Sequence, residues 1–282
     1  TQDGYCAGVA IAGSHSIVRD CAFSDLAMGV RLRSISRPIS RVEVKDCSFA
    51  HIGRRGVSIA SGGPPVMRVR VENVRIDAPA KACQPVRVDA AKGPVRQIRL
   101  LNGTIFDEVT ESNGDDALSI NSGVASFSIS GWAITRHSDV GINVSGGCRD
   151  GTIINNKISG PDFGVNIGAL RDAGARNRRV EVTGNHLSKC RRGYFRIFQS
   201  DKISIHDNTV DAGDAPDVPV LEFRNSREMS LFANRATMDL ANVNADVPPE
   251  RSSFRRVEGM FAAPPVMAAG AKAGESRITL SG

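Results

Sequence analysis

Apolar and polar residues alternate along this chain in short runs that return at a nearly constant interval. One phrase opens on a small or polar residue, passes a second position that is often Cys or Asn, and closes on an apolar residue two places later. It reads Asp20-Cys21-Ala22-Phe23, Asp46-Cys47-Ser48-Phe49, Asn73-Val74-Arg75-Ile76, Asn102-Gly103-Thr104-Ile105 and Gly131-Trp132-Ala133-Ile134. It continues as Asn155-Asn156-Lys157-Ile158, Gly184-Asn185-His186-Leu187, Asp207-Asn208-Thr209-Val210 and Ala233-Asn234-Arg235-Ala236, with a spacing of 23 to 29 residues. A second phrase, apolar-polar-apolar after a small residue, runs through Val9-Ala10-Ile11, Val30-Arg31-Leu32, Val57-Ser58-Ile59, Val86-Arg87-Val88 and Leu118-Ser119-Ile120. Its later copies are Ile142-Asn143-Val144, Val165-Asn166-Ile167, Phe195-Arg196-Ile197 and Leu221-Glu222-Phe223.

Strict alternation marks a strand with one buried face. A single repeat of this length cannot bury its apolar face alone, so neighbouring repeats must stack and share one core. The pattern predicts an all-β fold, a right-handed parallel β-helix of about nine coils over residues 1–240. Leucine-rich repeats need a Leu-x-x-Leu-x-Leu phrase that is absent. Asn156, Asn185, Asn208 and Asn234 fall at equivalent turns and are expected to hydrogen-bond along the stack. Cys21 and Cys47 share one rung, where a small thiol packs well; Cys21 is also within reach of a disulfide with Cys6. Trp132 falls on the inward side of the same rung.

Beyond residue 240 the repeat fades. Val247-Pro248-Pro249, Ala262-Ala263-Pro264-Pro265 and Ala268-Ala269-Gly270-Ala271 read as irregular chain. Residues 241–282 are therefore expected to form an irregular tail or cap, with Arg277-Ile278-Thr279-Leu280 as a last strand. Such a tail would cover the open sheet edge or join copies into a homo-oligomer.

Composition narrows the function classes. No run of 18 apolar residues occurs among the 282, so no membrane-spanning helix is expected. The net charge of +6 suits an acidic partner, but zinc-finger, Walker and RNP-like motifs are absent, which argues against nucleic acid. The chain opens at Thr1 without a leader and reads as processed or truncated. The expected setting is secreted or extracellular, with the periplasm or a virion as variants.

Stacked coils repeat about every 4.8 Å, so equivalent outward positions become a line on the surface. The polar centres of the second phrase form the row Arg31, Ser58, Arg87, Ser119, Asn143, Asn166, Arg196 and Glu222. Three residues before the leading apolar position stand Asp115, Asp139 and Asp162, with Asp116 beside the first. Stacked carboxylates must share protons, gather a cation or be offset by neighbouring Arg and His. Glycoside hydrolysis uses two carboxyl groups, about 5 Å apart for retention and roughly 6.5–9.5 Å for inversion, and a column of this rise can supply either. Asp116 or Asp139 is the candidate general acid, and Asp115 or Asp162 the water-activating base. His137 and Arg196 would bind substrate or tune the acid, and Arg87, Asn143 and Asn166 would line the same groove. Aromatic residues are sparse at 5%; Tyr194, next to Arg196, is the candidate for stacking on a sugar ring. His51, His186 and His206 lie on different coils and form no metal-ligand cluster.

Coils of this kind resemble the pectin-lyase-like superfamily over roughly residues 5 to 240. Within them, Gly114-Asp115-Asp116-Ala117-Leu118-Ser119-Ile120-Asn121 resembles the G-D-D-hydrophobic motif of the polygalacturonase-type inverting glycoside hydrolases. Gly193-Tyr194-Phe195-Arg196-Ile197 resembles that family's R-I-K segment. The resemblance implies acid/base roles for Asp115 and Asp116 and uronate binding by Arg196. The chain departs from the pattern at Phe198, which stands where the lysine belongs, and it carries neither Gly-His-Gly nor an N-T-D triplet. Pectate-lyase-like enzymes share the fold; on that alternative Asp115, Asp139 and Asp162 would hold Ca²⁺ and Arg87 or Arg196 would be the base. The expected function is thus a cofactor-free glycoside hydrolase acting on an anionic polysaccharide. The alternatives are a Ca²⁺-dependent lyase and a non-catalytic, tailspike-like glycan-binding protein.

Overall fold

A computed structural model describes residues 7–77, 83–106, 115–135, 139–168, 175–211 and 218–236, together with the backbone of 243–244 and 254–262. All the described regular structure is β. A ten-stranded parallel sheet carries the second phrase: Ala7–Ile11, Met28–Ser34, Arg55–Ser61, Val86–Asp89, Leu118–Asn121, Val140–Ser145, Phe163–Ile167, Gly193–Phe198, Leu221–Arg224 and Val243–Asn244. Each strand pairs only with the coils before and after it. The register aligns Val86, Leu118, Ile142, Val165 and Phe195 on the inside, so Ser119, Asn143, Asn166 and Arg196 align on the outside. The remaining strands alternate long and short, Val95–Leu101 then Thr104–Phe106 for example, and each finds its partner one coil away.

The first phrase is the corner between those long and short strands. Its leading residue adopts positive φ in every coil: Asp20, Asp46, Asn73, Asn102, Gly131, Asn155, Gly184, Asp207 and Ala233, between 51° and 69°. Asp, Asn and Gly recur there because they enter the left-handed region at least cost. The second position then points inward. In the later coils it is the asparagine ladder. Asn156 Nδ2 donates to Asn185 Oδ1 (2.9 Å), Asn185 to Asn208 (2.9 Å) and Asn208 to Asn234 (2.9 Å). The same oxygens receive the backbone N–H groups of Asn156, Asn185 and Asn208, so buried polar groups satisfy one another. Trp132 heads the ladder, buried, with its backbone N–H on Asn156 Oδ1. A Cβ at Gly103 would collide with its indole, which accounts for glycine one coil below. Cys21 and Cys47 stand on the same rung and both carry free thiols; Cys6 lies outside the described residues.

Within residues 241–282 two short stretches of backbone are described. Val243–Asn244 and Phe254–Ala262 extend the two sheets, parallel to Leu221–Arg224 and Met229–Ala236. The open edge of the last full coil presents unpaired backbone donors and acceptors, and a further strand satisfies them. The segment 277–280 lies outside the described residues. Among the described residues there is no helix long and apolar enough to cross a membrane.

Candidate active site

The outward row of the ten-stranded sheet is joined by hydrogen bonds across four coils. Arg196 Nε donates to Asn166 Oδ1 (2.7 Å), Asn166 Nδ2 to Asn143 Oδ1 (2.6 Å) and Asn143 Nδ2 to Asp116 Oδ2 (2.7 Å). Ser119 Oγ donates to the same carboxylate oxygen (2.9 Å) and receives Asn121 Nδ2 (2.7 Å). One carboxylate therefore terminates a line of donors that begins at a guanidinium. The arrangement follows from the sequence: period-two alternation turns each of these residues outward, and parallel stacking brings them within bonding distance of their counterparts.

Asp116 is 9% exposed. Burial disfavours its charged form and raises its pKa to about 6; the Asn143 and Ser119 bonds pull the other way, while Asp139 and Asp115 add to the rise. Burial also raises Asp115, against the pull of Arg55, Arg87 and Arg54, and Gln84 donates to it. Asp139 is raised for the same reason, against the nearby Arg196. Three carboxyl groups thus lie within electrostatic reach of one another in a partly dehydrated setting, and all three are shifted toward the neutral form.

The fourth carboxylate has a different role. Asp162 is buried and forms an ion pair with Arg191 (2.8 Å), with Arg192 at 3.9 Å, while its carbonyl accepts the backbone N–H groups of Arg192 and Gly193. It anchors a turn, so it is removed from the base candidates. Tyr194 is likewise corrected. It is wholly buried, and its hydroxyl donates to the Asp211 carbonyl (3.3 Å), so its ring offers no stacking surface. Arg87 lies on the expected row but is held by Asp89 (2.6 Å) and Gln84 (3.0 Å). His137 lies outside the described residues. Phe198, in place of the family's lysine, is buried.

Three contributors escaped the sequence reading. Phe163 lies under the Arg196 guanidinium, 3.8 Å from ring centroid to Cζ, and fixes its plane. Asn121 orients Ser119 and in turn accepts Ser145 Oγ (2.7 Å). Gln84 reaches Asp115 from the preceding coil. Asn121 was readable as the next outward position after Ser119; the other two contacts join residues whose side chains lean across coils, and alternation does not encode that. Among the described residues no three His, Cys, Asp or Glu side chains gather closely enough to hold a metal ion. With Asp162 turned to Arg191, the set Asp115, Asp139 and Asp162 does not fit a Ca²⁺ site.

Residues 97–220 match the family model described as a right handed beta helix region. No curated protein matches the sequence. Among solved structures, the chain is similar to the GH136 lacto-N-biosidase from Eubacterium ramulus, with a TM-score of 0.56 and 10% identity over 82% of this chain and 50% of that one. It is also similar to a tailspike protein mutant of E. coli bacteriophage HK620 in complex with pentasaccharide, with a TM-score of 0.57 and 12% identity over 84% of this chain and 46% of that one. A second mutant of that tailspike, in complex with hexasaccharide, gives 0.52 and 12% over 83% and 47%. The chain thus spans about half the length of each. Their common element is the stacked parallel coil seen here, and the chain has the right-handed parallel β-helix fold.

Proposed function

We propose that this protein acts on a glycan, as a glycoside hydrolase working outside the cell or on a virion surface. The observation that carries the reading is the buried Asp116 carboxyl, held near pKa 6 beside Asp115 and Asp139. A carboxyl at that value is partly protonated near neutrality and can donate a proton, as a general acid must. Asn143 and Ser119 both bond Oδ2, which leaves Oδ1 to carry the proton. That oxygen would protonate the glycosidic oxygen as the bond to the anomeric carbon breaks. Asp139, whose charge Arg196 favours, would take a proton from the attacking water; Asp115 is the alternative base. Arg196 would hold the sugar; Asn166, expected to line the groove, is buried with its amide committed to Asn143, the Gly168 carbonyl and Arg196, so it positions that guanidinium instead. The neighbours agree with this reading to the extent of their names, a biosidase and tailspikes in complex with oligosaccharides.

The test compares wild type with Asp116→Asn on a panel of neutral and acidic polysaccharides, following reducing ends and near-ultraviolet absorbance. Wild type should release reducing ends without absorbance, with a rate that falls as pH rises through about 6. The variant should lose at least 10²-fold in rate, on the order expected for a missing general acid. An absorbing, unsaturated product would replace the hydrolase reading with a lyase. Oligosaccharide binding without cleavage would make the protein a sugar-binding module.

A further inference from the structure

Toward the first coils the carboxylate column gives way to a cleft of opposite charge. Met28–Ser34, Arg55–Ser61 and Val86–Asp89 are consecutive strands of the ten-stranded sheet, and their outward row runs Arg31, Ser58, Arg87 before reaching Ser119. A cleft of about 210 Å³ lies on this part of the face, lined by Arg31, Arg33, Arg54, Arg55 and Lys92 around Ser58. The only carboxylate in its lining is Asp89. Asp89 accepts Arg87 Nη2 through Oδ2 (2.6 Å) and the Ala91 N–H through Oδ1 (2.8 Å), so its charge is directed to neighbours of its own. Five cations around one concave site repel one another and focus a positive potential into it. Four of them are arginines, whose planar forks suit the paired oxygens of a carboxylate, sulfate or phosphate.

The cleft lies within electrostatic reach of the proposed site. Arg54 and Arg55 stand near enough to Asp115 to favour its ionised form. On the other side of the column Arg191 pairs with Asp162, and Arg196 is bonded to Asn166 over Phe163. The face is therefore polar along the helix axis, basic at one end and acidic in the middle.

We propose that this cleft is a subsite for an oxyanion substituent of the glycan, a carboxylate, sulfate or phosphate ester, seated about two coils, roughly 10 Å, from the acid pair. It rests on the glycan reading above and adds that the ligand is charged and that its charged unit sets where the chain is engaged. Two oligosaccharides of equal length, one with a single acidic substituent and one without, are titrated calorimetrically into Asp116→Asn protein, with and without Arg33→Glu/Lys92→Glu. Sodium sulfate serves as a separate probe, and thermal melts verify that the charge-reversed protein is folded. The acidic ligand should bind at least tenfold more tightly than its neutral match at low salt. That advantage should vanish in the charge-reversed protein and shrink with ionic strength, while the neutral ligand's affinity stays unchanged. Equal binding of both ligands, or a preference that survives charge reversal, overturns the anion subsite and leaves the glycan reading intact. Saturable sulfate binding without either oligosaccharide would mark a free-anion site and overturn the subsite. Failure of every ligand overturns both readings.

Discussion

Asp116 sits where its neutral form is favoured, and this has a consequence for stability as well as for chemistry. Its folded-state pKa, about 6, lies above the value near 3.9 of an unfolded aspartate. Below that lower value both states are protonated and the group contributes nothing. As pH rises from 4 to 6 the unfolded state ionises first, so the folded state loses stability, and above 6 the full penalty applies. Asparagine in its place still accepts the Asn143 and Ser119 bonds through its carbonyl oxygen. Asp116→Asn should therefore be more stable than wild type at pH 7.5, by roughly 2–3 kcal/mol, or several degrees in Tm. The gain should shrink to about 0.5 kcal/mol at pH 4 and to nothing by about pH 3. Equal melting temperatures at both pH values would mean that the carboxyl is not destabilised by burial. The row Ser119, Asn143, Asn166 and Arg196 was legible in the sequence because each residue is flanked by inward apolar ones. Tyr194 was not, since its column breaks the alternation. The equivalent positions Gly29, Gly56, Pro85, Ala117, Gly141 and Gly164 are all buried, as is Tyr194. The chain turns a corner there, two consecutive residues face inward, and a Cβ at Gly164 would run into Leu187.

At the scale of the element, the corner of each coil depends on a left-handed residue followed by an inward one. Ala233 is the exception among the nine leading residues, with φ at 53° and no polar side chain to offset the cost of its Cβ there. The inward asparagines make up for the lack of sheet pairing at the bend. Asn185 donates to the carbonyls of Ile153 and Thr183 and to Asn208, and accepts the N–H and amide of Asn156. Asn185→Ala strips partners from several buried groups at once, each worth about 1–3 kcal/mol when left unsatisfied. A loss of roughly 3–5 kcal/mol is expected, read from denaturant midpoints. A loss under 1 kcal/mol would show that the ladder is replaceable by water. The earlier coils put Cys47, Val74 and Gly103 at this position, so the ladder supports the later coils only.

For the whole molecule, the stacking makes stability close to a sum of neighbouring interfaces. Central strands such as Val95–Leu101 have a partner on both sides, whereas Ala7–Ile11 has one partner among the described residues, and Ile17 in the same coil is largely exposed. Amide hydrogen exchange should therefore be slowest in residues 95–106 and 125–135 and markedly faster in 7–19. Uniform protection would indicate a single cooperative unit instead of a graded solenoid.

The alternation, the repeat length and the corner residues were local properties, and they determined the sheets, the register and the inward and outward faces. They carried the stacked carboxylate column as well, since equal offsets within equal repeats must align. Only the tertiary structure decided which of those carboxylates is available. Burial raises Asp116 because coils above and below exclude water, and Asp162 is taken by an arginine one coil later. The cleft of Arg31, Arg54 and Lys92 likewise exists only where separate coils converge. Charge, dehydration and reach between coils depend on distances through space, and a repeat pattern records only distances along the chain.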